Sequence, residues 1–322
     1  MNILYIDNRR YTYNASIHVD FFSSLQSKVG VVGLGDYLGD KLAKSYSSEA
    51  NIPSILSRHK IDAIVSYNSG SNDRAKMSWV ADRISKIDIP KFHITTDYCR
   101  RGFSKGQADW FNEVGYCHAF FRHKVSLKHP LNISKSWLPF SFDRGKYDKL
   151  SIKKVNYKLN KVAFAGAAHF SSKSLYSKRI AAIDYLGGQK LIVQPPMKTD
   201  SKGRMVRSRV VGEKYIKFYT ENLFGLTCGG TCNFFVAKYI QIPAMHCMLI
   251  CASTVGLEDY PVDTYIEYEV GNLDKLKRDI KYHIKNKSET REKIMILNSH
   301  VNKKHTHCQR GKEFVSLIKK YL

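Results

Sequence analysis

No stretch of this 322-residue chain approaches the roughly 18–20 uninterrupted apolar residues that a membrane span requires, and none of it repeats or falls into a low-complexity linker. A membrane-spanning helix and a solenoid array are thereby excluded. Met1 to Asp7 runs directly into a strand-like segment, so a cytoplasmic location without membrane partners is expected. Cysteine is too irregular for a secreted disulfide framework. The seven (Cys99, Cys117, Cys228, Cys232, Cys247, Cys251 and Cys308) are odd in number and mostly sit beside apolar or aromatic neighbours, so reduced thiols are expected. Cys228 with Cys232 and Cys247 with Cys251 form two C-x3-C pairs, with His246 and His305 as conceivable further zinc ligands. The run Met245 to Cys251 reads instead as a buried strand whose alternate side chains face opposite ways, so no metal is expected. Without a coiled-coil heptad to argue for assembly, a monomer is expected.

Acidic side chains are scarce. Against 52 Lys and Arg stand 28 Asp and Glu, a formal net charge of +24. Residues 151–220 alone hold 15 basic and 3 acidic side chains, net +12. A polyanionic partner explains such an excess; so does a lysine-rich composition scattered over a solvated surface.

What is present is ample apolar sequence, 43% of residues, enough for two cores of about 150 residues each. Strand candidates recur at Ile3–Ile6, Val29–Val32, Ala63–Tyr67, Lys91–Thr95, His118–Phe121 and Lys135–Leu138, with amphipathic segments such as Met77–Lys86 between them. The pattern resumes with strands at Lys161–Ala165 and Lys190–Val193 and a helix at Ser177–Leu186. Phe235–Ile240 leads into a strand at Met248–Cys251, and helices follow at Asn272–Asn286 and Lys312–Leu322. Strands alternating with helices predict an α/β fold of two doubly wound, Rossmann-like domains facing a cleft, where ligands bind at the carboxyl ends of the strands. Phe142–Lys146 reads as a linker, which sets the domains at 1–150 and 151–322.

Four segments in order carry a family likeness. They are Ser136-Trp-Leu-Pro-Phe-Ser-Phe-Asp143; Lys161-Val-Ala-Phe-Ala-Gly166 with Tyr176-Ser-Lys-Arg179; Lys238-Tyr-Ile-Gln-Ile-Pro-Ala244; and His305-Thr306 with Arg310. Together they resemble the GT-B glycosyltransferases, particularly the spore-maturation glycosyltransferase-like proteins. The likeness covers residues 136–322 well and the first half in strand order. It implies an amino-terminal acceptor domain, a carboxyl-terminal nucleotide-sugar domain and a last helix packing back toward the first. Gln241 departs from the pattern, which has a glutamate there; an amide accepts and donates hydrogen bonds but carries no charge.

Sugar transfer from a nucleotide diphosphate requires the phosphates to be neutralised as the leaving group departs, and this fold does so without an obligatory metal. Gly166 opens the backbone to the diphosphate beside His169, Arg179 offers a two-pronged contact, and Lys238 a point charge, followed by Tyr239 and Gln241. Gly229-Gly230-Thr231 is a second backbone-rich turn, and Glu258 or Asp259 could reach the ribose. For the acceptor side, Asp97 follows a strand and is flanked by Arg100 and Arg101; it is the first candidate for a base. His18 is a further one, and His93 reads more simply as a core residue. The early Gly33–Gly39 run follows the second strand rather than the first and fits a dinucleotide fingerprint poorly.

Lys198, Lys202, Arg204, Arg207 and Arg209 punctuate a segment able to track nucleic-acid phosphates, as could Arg100, Arg101 and Lys105. A hydroxymethylated base in DNA, flipped into the site against Asn68, Tyr98 or Phe103, joins fold and charge in one reading. The expectation is a glycosyltransferase using a UDP-sugar with DNA as acceptor. A glycan, lipid-linked or protein acceptor, or a non-catalytic nucleic-acid-binding protein on the same scaffold, are the other readings.

Overall fold

Described in a computed structural model are residues 1–7, 13–36, 38–39, 41–68, 74–95, 105–128, 131–147, 159–166, 173–199, 205–207 and 210–322. They divide into one unit of Met1–Asp143 with His305–Leu322 and another of Arg144–Lys304. The divisions fall at 143/144 and 304/305 instead of the single boundary expected near residue 150.

The first unit runs β1 (Asn2–Ile6), α1 (Tyr13–Leu25), β2 (Gly30–Leu34), β3 (Ser45–Tyr46), α2 (Ile52–His59), β4 (Ala63–Asn68), α3 (Arg74–Ile84), β5 (Lys91–Thr95), α4 (Lys105–Val114), β6 (Tyr116–Phe121) and β7 (Ser134–Trp137). Its sheet order is β3-β2-β1-β4-β5-β6-β7, every pair parallel. The two-residue period of β1 feeds both faces. Ile3 and Tyr5 join a core with Phe21 and Phe22 of α1, while Leu4 and Ile6 join another with Ile55, Val80 and Trp110. Because neither face sees water, every residue of β5 is buried, Lys91 and His93 included.

In the second unit come α5 (Arg144–Tyr147), β8 (Leu159–Ala163), α6 (Lys173–Gly188), β9 (Ile192–Val193), β10 (Met197–Thr199), β11 (Met205–Arg207), α7 (Gly212–Thr220), β12 (Asn222–Thr227), α8 (Lys238–Ala244), β13 (Met248–Ala252), β14 (Ile266–Tyr268), α9 (Leu273–Lys285) and α10 (Lys287–Lys304). Five parallel strands order as β14-β13-β12-β8-β9, and β10 pairs antiparallel with β11. The strand expected from Met245 begins only at Met248. Residues Met245–Cys247 instead close α8, with Met245 N–H on the Gln241 carbonyl and His246 at φ +58°.

The last helix, α11 (His307–Ile318), belongs to the first unit. Thr306 caps it by accepting from Gln309 N–H at 3.2 Å. A parallel bridge, Phe142 N–H to His305 O at 3.1 Å and His307 N–H to Phe142 O at 2.9 Å, fastens its start. Ser141 Oγ lies 2.8 Å from His307 Nδ1, and the Tyr321 hydroxyl 2.9 Å from His118 Nδ1. Gly311 lets α11 approach α1, since a Cβ there would stand 2.5 Å from Leu25 Cδ2. Gly311→Val is therefore expected to destabilise the first unit by about 1–3 kcal/mol through overpacking, read as a lower midpoint in urea unfolding.

Candidate functional site

Strand order in the second sheet reverses between β8 and β12: β9 lies to one side, β13 and β14 to the other. The carboxyl ends of β8 and β12 therefore diverge there, the place where doubly wound sheets hold ligands. Phe164-Ala165-Gly166 leaves β8 and Cys228-Gly229-Gly230 leaves β12 at this point.

Two cations converge on it. Lys238, the first residue of α8, donates from Nζ to the Ala165 carbonyl. Arg179, 6% exposed, donates from Nη2 to the Cys228 carbonyl at 3.0 Å. Its guanidinium carbon stands 4.2 Å from the Tyr176 ring centroid and 5.5 Å from that of Phe164, and Lys238 Nζ is 5.3 Å from the same phenyl ring. A kink in α6 at Tyr176 (φ −119°, ψ 26°) accompanies this stacking. Burial, and then the Arg179 guanidinium, bring the Lys238 ammonium down to about 7.

The surrounding loops are locked. Ala165 N–H donates to the Tyr219 hydroxyl at 3.1 Å, so both polar groups of that residue are held. A side chain on Gly166 would meet Lys238 Nζ, and one on Gly229 would collide with the Phe234 backbone. Gly230 sits at φ +67°, a conformation that favours glycine. Thr231 continues the short 3-10 turn Gly230–Cys232. Gln241 follows Lys238 by three residues on α8 and accepts from the Tyr215 hydroxyl through Oε1 at 3.3 Å.

Other expected donor residues stand elsewhere. Tyr239 is fully buried, stacked on Phe235 with its hydroxyl donating to the Ala252 carbonyl at 2.9 Å, so it shapes α8 against β13. Glu258 lies past β13 in the turn Leu257–Asp259, its carboxylate accepting from Gly256 N–H. His169 lies outside the described residues, as do Asp97, Arg100, Arg101, Tyr98, Phe103, Lys202, Arg204 and Arg209. His18 is placed by its backbone within α1, Lys105 at the start of α4, Lys198 in β10 and Arg207 in β11. His93 is a core residue, Nδ1 2.8 Å from Ser66 Oγ and ringed by Trp110, Phe111 and Tyr116. In the Gly33–Gly39 run, Asp36 accepts from Ser48 N–H at 2.7 Å, which holds its carboxyl below the usual range. Cys247 is buried with Sγ on the Tyr219 carbonyl, and no group of three His, Cys, Asp or Glu side chains able to hold a metal occurs among the described residues.

One residue escaped the sequence reading. The first sheet reverses between β1 and β4, and there Asp7 is fully buried and accepts from the Tyr5 hydroxyl at 3.2 Å. An acidic residue immediately after the apolar strand Asn2–Ile6 was the available signal.

Solved structures share this architecture. An α-glucosyltransferase in complex with UDP and a 13-mer DNA containing a central A:G mismatch superposes with a TM-score of 0.70 at 8% identity, over 99% of both chains. HepE of Anabaena, solved with UDP and glucose, gives 0.68 at 9% identity over 99% of this chain and 100% of its own. A glycosyltransferase of Rickettsia africae gives 0.66 at 10% identity over 99% and 98%. No protein-family model and no curated protein matches the sequence. At such identities the likeness is one of fold: this chain has the GT-B architecture, with two Rossmann-like α/β units.

Proposed function

We propose that the protein is a glycosyltransferase that takes its sugar from a UDP-sugar and delivers it to a hydroxymethylated base in DNA. The observation that carries the donor half is the convergence of Arg179 and Lys238 on the β8/β12 reversal. A buried guanidinium and a half-buried ammonium beside a glycine-lined loop favour an anion, and a diphosphate supplies the charge and the several acceptor oxygens that the two address. The Cys228 carbonyl and the Tyr176 ring hold the Arg179 fork in place before any ligand arrives. As the glycosidic bond to the β-phosphate breaks, charge grows on the departing oxygen; both cations then interact more strongly than with the ground state. UDP bound to HepE and to the α-glucosyltransferase supports a uridine nucleotide as donor.

The acceptor half rests on the net charge of +24, on the basic segment from Lys198 to Arg209, and on the DNA carried by the α-glucosyltransferase. We assign Asp97, two residues beyond β5, as the base that receives the acceptor hydroxyl proton, and the first unit as the acceptor domain. Gln241 favours one second reading, a nucleic-acid-binding protein on a transferase scaffold, in which DNA binds and no sugar moves.

Calorimetry with UDP is expected to show binding that Arg179→Met and Lys238→Met each weaken by roughly 10- to 100-fold, as loss of a charged hydrogen bond implies. Wild-type binding unchanged by either variant would remove the donor site. The Lys238 ammonium has a depressed pKa near 7, and a bound diphosphate raises it. Binding therefore takes up a proton above pH 7, and affinity falls as pH rises through the pKa of the complex. Titrations at pH 8 in buffers of different ionisation enthalpy should report this uptake, and Lys238→Met should abolish it. With radiolabelled UDP-glucose and a hydroxymethylcytosine or hydroxymethyluracil duplex, label should pass to the DNA and Asp97→Asn should stop transfer with UDP affinity retained. Duplex affinity should fall steeply between low and physiological salt; label confined to a glycan, or DNA binding without transfer, selects the other readings.

A further inference from the structure

A cavity of about 430 Å³ opens beside β14 in the second unit, walled by the segment Leu257–Glu267, by α9 and by Lys293 of α10. Its lining inverts the charge of the chain around it. Glu258, Asp263, Glu267 and Asp279 all face this space, in a protein with 28 acidic and 52 basic side chains. The lysines on the wall are already engaged: Lys275 Nζ lies 2.6 Å from Asp279 and Lys293 Nζ 2.8 Å from Glu289. Asp263 and Glu267 carry no salt bridge among the described residues. Tyr260, Tyr265 and Tyr282 add aromatic rings to the wall.

His283 turns this acidic lining into a built site. It is only 7% exposed and borders the cavity, with Nδ1 2.9 Å from Thr290 Oγ1. The Thr290 hydroxyl has the carbonyls of His283 and of Asn286 within reach as acceptors, each at 2.9 Å. With its proton on either carbonyl, Oγ1 accepts from Nδ1–H, the tautomer that leaves Nε2 as a lone pair. No described residue hydrogen-bonds Nε2. Burial first, and then the Lys293 ammonium, hold the imidazole below its ordinary pKa and hence neutral.

We propose that this cavity binds a primary alkylammonium group, supplied by a free diamine or polyamine or by a lysine side chain of a partner. Acceptors on the wall outnumber uncommitted donors, and an ammonium brings three donors, no acceptor and a positive charge. Its methylenes pack on tyrosine rings, whose faces attract the cation. A saccharide hydroxyl would bring an acceptor to a wall whose lysines are engaged, and no set of three metal-ligating side chains occurs among the described residues. The site lies at β14, two strands from the β12 edge of the donor site, and is independent of the donor reading.

Calorimetric titration of the full chain with putrescine, spermidine and Nα-acetyl-lysine methylamide tests this, with the diol analogue of putrescine as the uncharged control. Saturable binding of an amine is expected, weakened about tenfold or more in the exposed double variant Asp263→Asn/Glu267→Gln, with UDP affinity unchanged. Stronger binding of putrescine or spermidine assigns a free amine; stronger binding of the lysine mimic assigns a partner's side chain. Equal binding of the diol, undiminished binding in the double variant, or no heat with any amine overturns the proposal. UDP titrated in parallel keeps that failure distinct from failure of the donor site.

Discussion

Two like charges, a buried guanidinium and a half-buried ammonium, at the carboxyl ends of neighbouring interior strands of a five-stranded sheet are the constraint around which the second unit is arranged. Arg179 and Lys238 repel one another and both give up hydration, a combination that costs several kcal/mol unless each finds a strong acceptor. Each has one, a main-chain carbonyl at the end of a strand: Cys228 after β12 and Ala165 after β8. Those carbonyls are available because strand order reverses between β8 and β12, so the two chains part and leave their ends uncovered. Parallel topology thus creates the place, and the two cations make it electropositive.

The glycines and aromatics nearby follow from that requirement. Gly166 has no side chain because the Lys238 ammonium occupies the volume a Cβ would need. Gly229 and Gly230 fold the β12 exit back on Phe234, keeping the Cys228 carbonyl turned to Arg179. Phe164 serves both cations, and the Tyr219 hydroxyl receives the Ala165 N–H from beneath. A reading that assigned roles to Gly166, Arg179, Gly229 and Lys238 had the cation–loop set in view, but the carbonyl anchors were hidden. Backbone acceptors leave no mark in a sequence.

Legibility followed burial and periodicity. Lys91–Thr95 reads as a strand to the residue, because Phe92 and Ile94 alternate with Lys91, His93 and Thr95 at the two-residue period of a strand, although the fold then covers both faces. Asn222–Thr227 was not read, although wholly buried: an asparagine, a central glycine and a closing threonine dilute the run, and its stability comes from β8 and β13 on either side. Lys287–Lys304 was missed as a helix since its buried residues, Thr290, Ile294, Leu297 and Val301, form a thin stripe amid polar sequence. The start of the last helix, expected at Lys312, was set too late because Thr306 as its cap was not recognised.

Gln241 takes its meaning from the same electrostatics. The resemblance places a glutamate at this position, one turn along α8 from Lys238. A carboxylate there would oppose the repulsion from Arg179, favour the protonated Lys238 and cancel one of the two positive charges before any ligand bound. With an amide, whose oxygen is taken by the Tyr215 hydroxyl, the site keeps an ammonium poised near neutrality. On the proposed donor reading, an arriving diphosphate would both pair with the guanidinium and draw a proton onto Lys238, so that charge would be completed by the ligand rather than by the protein. What the substitution removes is a charged acceptor for donor hydroxyls. What it would leave, on the same reading, is a stronger demand for the phosphates, with donor selection resting on the nucleotide more than on the sugar hydroxyls.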